Sequence, residues 1–370
     1  MSARCGWVAI ALTLWAAPIQ AQRTGAGLVA QIDSIVAAEM GPAHTVGVTV
    51  AVEQRGRLIL AKGYGYEDLE QDVPATAETV FKIGSITKQF TAVGVMQLVE
   101  QGKLRLEDEI TAYLPDYPTQ NHHVTLHHLL THTSGIKSYT SLGPAFWGRA
   151  ARLDLAEDQL IGMFDHEPFD FAPGERYLYN NSAFFLLGRI IGKVSGEPYP
   201  AYLQRHILAP LGLTNTSYCD DRALVPHRAE GYEVVAGVLK RAAPISMTAP
   251  GAAGSICSTV LDLLGWQRSF NAATLISPAS RDRIRTEATL TSGQGTHYGY
   301  GVGVGALGGR RLFSHSGGIN GFVSWLGYFP DDDLTIAVLT NTDGGPAPRV
   351  GQSIARSVLG LAPDSTARRP

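Results

Sequence analysis

The sequence predicts an α/β chain of the α+β kind: one antiparallel sheet built from both chain ends, flanked by helices and carrying a mainly helical insert. Three observations predict it. Strand-like runs rich in β-branched residues stand near the start, at Thr45–Val52 and Arg57–Tyr64. Strand-like runs return after His297, at Tyr298–Val304, Arg311–His315, Phe322–Phe329 and Leu334–Thr340. Between the two sets, short helical spacings broken by Pro and Gly dominate.

Taken in order, residues 1–21 read as a secretory signal. Arg4 gives the positive start, Trp7 to Ala17 the apolar run, and Pro18-Ile19-Gln20-Ala21 the cleavage site, with Ile19 larger than the ideal residue there. The run is short of the ~20 residues a membrane span needs, so a soluble exported protein, periplasmic or secreted, is expected. A domain over residues 22–362 follows, divided into an α/β part at about 25–101 and 290–362 and a helical part at about 102–289. After a polar lead, Thr45–Val52 and Arg57–Tyr64 form a hairpin turned at Gly56. Ser85 opens a helix: Ile86, Phe90, Val93 and Met96–Val99 recur at helical spacing, and Gly102 sits where a C-terminal cap belongs. Further helices are expected at Ser182–Val194 and Ala201–Leu208 in the insert and at about Val350–Leu359 near the end. Residues 363–370 are a polar tail.

Composition excludes several function classes. Of 370 residues, 45% are hydrophobic and 17% charged, enough to bury a sizeable core. A net charge of −3 offers no basic footprint for nucleic acid or an anionic membrane. Two cysteines, Cys219 and Cys257, remain after signal removal; an oxidising compartment permits a disulfide between them, and the sequence leaves the pairing open.

The chemistry is carried by short strings. A serine hydroxyl needs an adjacent base, and on a helix Ser-x-x-Lys puts hydroxyl and amine on one face. The lysine acts as base only when burial or neighbouring cations hold it neutral. Two such strings occur. Ser85-Ile86-Thr87-Lys88 begins an amphipathic helix, whereas Ser134-Gly135-Ile136-Lys137 has Gly next to Ser and reads as a turn. A helix start also places the Ser85 backbone N–H among donors suited to an oxyanion. Tyr179-Asn180-Asn181 follows a Pro173-Gly174 turn and leads into a helix; a tyrosine there can hold a proton for a leaving group, and an Asn amide can anchor a substrate carbonyl. His315-Ser316-Gly317-Gly318 ends a strand-like run, and its glycines let the backbone approach a ligand closely.

The ordered set Ser-x-x-Lys, Tyr-x-Asn and His-x-Gly resembles the beta-lactamase-related serine hydrolases: class C beta-lactamases, D-alanyl-D-alanine carboxypeptidases, D-aminopeptidases and family VIII esterases. Val124–Ile136, Phe171–Glu175, Ser258–Trp266 and Gly317–Phe322 match as well, and the likeness covers roughly residues 43 to 345. The resemblance implies a beta-lactamase-like fold and two-step acyl transfer without metal or other cofactor. It assigns Ser85 as nucleophile, Lys88 as its base partner, Tyr179 as second proton-transfer group and Asn181 as a substrate-orienting amide. It places His315 and Gly317 on the far wall of the site and the N–H groups of Ser85 and Gly318 in the oxyanion hole.

One departure matters. The beta-lactamases of this group carry Lys-Thr-Gly on that strand, where the cation helps hold the substrate carboxylate. Histidine at 315 is mostly neutral at pH 7, which favours esters or other amides over penicillins and D-Ala-D-Ala termini. Arg349 is a candidate replacement cation, set against the plainer reading of a solvated helix-end charge. The histidines at 122, 123, 127, 128 and 132 lack the glutamate of a metalloprotease helix, so no metal site is expected from them. The expected partners are small ester, amide or peptide substrates; no nucleic acid, no membrane span after signal removal and no particular oligomeric state are read from the sequence. The alternatives are a true class C-like beta-lactamase or D-Ala-D-Ala carboxypeptidase and, in another class, a penicillin-binding or sensor protein that never turns over.

Overall fold

The computed structural model describes residues 25–362, so the signal segment and the polar tail lie outside the described residues. Helix α1 (Gly25–Met40) leads into strands β1 (Gly47–Gln54), β2 (Arg57–Asp68) and β3 (Val73–Pro74). The short strand β4 (Phe81–Lys82) and a 3-10 turn at Gly84–Ile86 bring the chain to helix α2 (Thr87–Glu100). The middle of the chain holds helices α3 (Leu126–Leu130), α4 (Glu157–Ile161), α5 (Asn181–Ser195) and α6 (Tyr199–Leu203). Strands β5 (Ser217–Tyr218), β6 (Tyr232–Val235), β7 (Val238–Arg241) and β8 (Ile256–Ser258) follow, then helices α7 (Val260–Asn271) and α8 (Pro278–Ile284). The last part returns as β9 (Gly303–Leu307), β10 (Arg310–Ile319), β11 (Phe322–Phe329), β12 (Leu334–Thr340) and helix α9 (Ala347–Leu359).

The expected sheet from both chain ends is present: seven strands in the order β3-β2-β1-β12-β11-β10-β9, paired antiparallel throughout. The first hairpin turns at Arg55 and Gly56, both at positive φ as a tight two-residue β-turn requires. Strand β1 then pairs with β12, nearly three hundred residues later, in the register Val48↔Thr340 to Gln54↔Leu334. Its residues are buried on both faces. Val48, Val50 and Val52 pack with Ile32 and Val36 of α1 and with Val350 and Ile354 of α9. Ala51 joins the opposite layer, which contains residues of α2, α5 and α7. The site lies on that second side, where α2 enters beneath strand β10.

Three departures from the sequence reading have local causes. The polar lead contains α1: Ile32 and Val36 are buried at helical spacing, but Gly25-Ala26-Gly27 carries no helix-start signal. The insert, expected to be mainly helical, also contributes β5 and β8, which form a small sheet with β4 of the α/β part, and the hairpin β6-β7. The run at Tyr298–Val304 becomes a strand only from Gly303. Before that the Gly299 N–H donates to the Val302 carbonyl (2.8 Å), and Gly301 at φ +69° passes so close to α2 that a Cβ would lie 2.6 Å from the Lys88 carbonyl oxygen. The chain bends there and turns Tyr298 inward, where it is buried. Cys219 and Cys257 are joined as a disulfide, Cα to Cα 5.3 Å, stapling β8 to the chain just after β5.

Candidate active site

Ser85 sits in the 3-10 turn that runs directly into α2, so Lys88 follows it as the second residue of the α-helix proper. In 3-10 geometry residues three apart nearly eclipse, which brings the lysine over the serine. Gly84 has φ +51°, and a Cβ there would lie 2.9 Å from the Gly318 nitrogen. The turn is therefore pressed against strand β10 at a distance only glycine permits. Two further bonds fix it. Ser324 Oγ donates to the Ile83 carbonyl (2.7 Å), and the Ile256 N–H donates to Thr87 Oγ1 (3.1 Å).

Lys88 is fully buried, and burial lowers its pKa well below the ordinary 10.5. Among the described residues it has no ion-pair partner; its amine lies 4.7 Å from the ring centre of Tyr179 and 5.4 Å from that of Phe184. Nζ is 2.8 Å from Asn181 Oδ1, 2.8 Å from the Ala253 carbonyl oxygen and 3.1 Å from Ser85 Oγ. A neutral amine has two N–H groups and one lone pair. With both donors of that form on Asn181 and Ala253, its lone pair faces the serine and can accept from the O–H. This is the arrangement a general base needs.

Asn180 caps α5 through its side chain, which accepts from the Ala183 N–H (2.9 Å), so the next residue, Asn181, is the one presented to the site. Its Nδ2 donates to Thr140 Oγ1 (3.2 Å) and its backbone N–H to Ser138 Oγ (3.2 Å). One amide hydrogen is left over for a ligand. The Tyr179 hydroxyl is buried and makes no hydrogen bond of normal geometry. Burial raises its pKa, and the nearby Ser85 hydroxyl offsets part of that rise, so the resting phenol carries its proton.

His315 is buried on β10, its pKa pushed down to about 3, chiefly by burial. Its Nδ1–H donates to the Ser316 carbonyl (2.6 Å), and its Nε2 accepts from the Tyr298 hydroxyl (2.7 Å). It is neutral, and both ring nitrogens are engaged. Gly317 is required by packing, since a Cβ there would overlap the Ile83 carbonyl oxygen and Ser324 Oγ. A Cβ at Gly318 would meet open space, on the cavity side.

Ser85, Asn181 and Gly318 open onto one cavity of about 290 Å³, together with Phe146, Trp147 and Ile245. Among the described residues, no Lys, Arg, His, Asp or Glu lines it. The structure thus brings together all the expected site residues save one. Arg349, the candidate replacement cation, is turned away: its Nε donates to Glu39 Oε2 (3.0 Å) on α1, and its side chain is 61% exposed. The first turn of α9 packs on the α1 side of the sheet, opposite the cavity, so this arginine meets solvent and Glu39 instead of substrate. Nor do the histidines gather. His122 stacks on Phe169, His123 pairs with Glu109, His127 meets the Tyr300 hydroxyl (2.9 Å), and His128 closes a capping box with Thr125.

Residues the sequence reading missed are Thr140, Ser138, Tyr298 and the carbonyl of Ala253, none of which carries a motif of its own. His132 was read with the possible metal ligands; the structure puts it against Tyr179, ring centres 4.3 Å apart.

A family model described as Beta-lactamase matches residues 32–359. The chain belongs to the beta-lactamase family. Within that family it is similar to Protein flp of Staphylococcus aureus (strain N315), 27% identical over 338 residues that make up 89% of this chain and 66% of that protein. It resembles the solved structure of an octameric penicillin-binding protein homologue from Pyrococcus abyssi, with TM-score 0.82 and 30% identity over 91% of this chain and 78% of that one. A D-stereospecific amidohydrolase from Streptomyces sp. superposes with TM-score 0.78 and 25% identity over 90% of this chain and 99% of that one. The expected fold class, a beta-lactamase-like fold, stands.

Proposed function

We propose that this chain is an exported serine hydrolase that cleaves esters or amides through an acyl-enzyme on Ser85. The observation that carries the reading is the contact of a buried lysine, without a carboxylate partner among the described residues, with a serine that lines a cavity. In the first step Lys88 Nζ takes the Ser85 proton while Oγ attacks the substrate carbonyl carbon. The oxyanion faces the backbone N–H groups of Ser85 and Gly318. As the tetrahedral intermediate collapses, the Tyr179 phenol hands its proton to the departing alcohol or amine and recovers one from the lysine side. Water then attacks the ester of Ser85 by the same route in reverse.

The cavity lining supports an uncharged substrate. A carboxypeptidase or class C beta-lactamase reading needs a cation for the substrate carboxylate; His315 is neutral and Arg349 lies on the other side of the sheet. Phe146, Trp147 and Ile245 offer apolar surface for an acyl group or side chain, and the similarity to a D-stereospecific amidohydrolase supports amides among the substrates. Export is supported by residues 1–21 and by the Cys219–Cys257 disulfide, a bond of oxidising compartments.

The test compares kcat/KM for a short-chain p-nitrophenyl ester, nitrocefin and a D-Ala amide on the wild type and Ser85→Ala. Ester or amide turnover with weak nitrocefin hydrolysis, all lost in the variant, is expected. Robust nitrocefin turnover contradicts the substrate assignment. Stoichiometric labelling of Ser85 with no turnover of any of the three points to a sensor instead.

A further inference from the structure

We propose that His132 and Tyr298 are positioning residues, joined with His315 in a one-way hydrogen-bond relay that sets the ring of Tyr179. The proposal rests on the proton-transfer role given above to Tyr179. The direction of the relay follows from its first bond. The Asn180 backbone N–H donates to His132 Nδ1 (3.0 Å), so that nitrogen carries no hydrogen and Nε2 must. His132 Nε2 lies 3.3 Å from the Tyr298 oxygen and donates to it. The Tyr298 proton is thereby directed to His315 Nε2, 2.7 Å away, and His315 Nδ1–H ends the chain on the Ser316 carbonyl at 2.6 Å. Every donor meets an acceptor, with both imidazoles neutral and in opposite tautomers. A proton added to His132 would set its Nδ1–H against the Asn180 N–H, and one added to His315 would leave the Tyr298 hydroxyl proton without its acceptor. Burial holds both rings below the ordinary histidine value, in agreement with the geometry.

The relay connects the two walls of the site, the Tyr179–Asn181 segment and strand β10. Its consequence falls on Tyr179, whose hydroxyl has no hydrogen bond of normal geometry to hold it. The phenol ring is placed by packing: ring centres lie 4.3 Å from His132, 6.0 Å from His315 and 6.4 Å from Tyr298. His132 grips the same segment through its backbone as well, since its carbonyl accepts from the Leu178 N–H (3.0 Å). It does so at φ +59°, in the left-handed region that non-glycine residues seldom occupy.

The experiment uses leaving groups as the readout. A p-nitrophenolate departs without a proton, whereas an alkoxide or amine needs one from Tyr179. Tyr298→Phe keeps the ring and deletes the hydroxyl. It is expected to lower kcat/KM for an alkyl ester or amide at least tenfold while changing kcat/KM for a p-nitrophenyl ester, which reports acylation alone, less than threefold. Tyr179→Phe should show the same pattern more strongly, and the double variant should be no worse than Tyr179→Phe alone. Equal losses on both substrates in Tyr298→Phe, in step with a fall in Tm, would overturn the relay in favour of a merely structural role. So would leaving-group dependence in Tyr179→Phe but none in Tyr298→Phe. No leaving-group dependence in Tyr179→Phe removes instead the role of Tyr179 on which the proposal rests. His132→Asn, which tolerates the left-handed backbone, provides the second variant and should follow Tyr298→Phe.

Discussion

The chain writes the same string, Ser-x-x-Lys, twice, and folds it into two different objects. At Ser85 the lysine is buried beside aromatic rings with no carboxylate partner among the described residues, and its amine reaches the serine. At Ser134 the serine oxygen accepts from the Ile136 N–H (3.3 Å) to make a local turn, and Lys137 forms an ion pair with Asp170. Ser134 Oγ therefore faces its own backbone, and the Lys137 ammonium faces an acid. The chemistry does not reside in the four letters. It resides in whether the surrounding fold removes water and counter-charge from the amine while leaving the hydroxyl at a cavity.

The largest expected effect breaks the comparison if it fails. Lys88→Met should cut kcat/KM for any substrate by about 10²- to 10⁴-fold, the usual range for losing a general base. Lys137→Met should change it less than twofold, with a small loss of stability as the measurable result. Comparable losses at both sites would mean that the two strings are not different after all.

The next effect concerns what braces each turn. A Cβ at Gly317 overlaps the Ile83 carbonyl and Ser324 Oγ, which hold the Ser85 turn, and a Cβ at Gly135 overlaps the Phe171 carbonyl beside the second. Both Gly317→Ala and Gly135→Ala should cost about 1–3 kcal/mol of stability, read from denaturant midpoints, by forcing backbone apart. Only Gly317→Ala should also lower the kcat of the remaining folded enzyme, by at least several-fold, because only that turn carries the nucleophile. The smallest effect is at Arg349. Its exposed pair with Glu39 contributes at most about 1 kcal/mol, and Arg349→Ala should leave kcat/KM for the p-nitrophenyl ester within twofold of wild type.

What the sequence made legible follows the same division. Strands buried along nearly their whole length, such as Phe322–Phe329 and Leu334–Thr340, stand out as predominantly apolar runs, and their bounds were read directly. The helix at α5 was legible because Ser182–Val194 alternates at helical period behind a capping Asn. Ser85, Lys88, Tyr179 and Asn181 were legible because their spacing ties them to helix starts. Strand β10 was read only to His315, because Ser316-Gly317-Gly318 has no strand propensity; its extension is imposed by the Ser85 turn, which only glycine can approach so closely. His132 and Tyr298 lie 166 residues apart and are joined only by the tertiary fold, so no local pattern could pair them. Arg349 was misplaced for a related reason. Sequence puts it at a helix start, but not on either side of the sheet.

The most direct test of the central claim, that burial keeps Lys88 neutral so that it can activate Ser85, is the pH dependence of Ser85 labelling by a fluorophosphonate, with the site mapped by mass spectrometry. A neutral amine is needed, so the rate should fall as pH drops through the lowered lysine pKa. It should level off before about pH 10.4, where an ordinary lysine is only half titrated. A rate that is only half-maximal there, or a label carried by Ser134, contradicts the account.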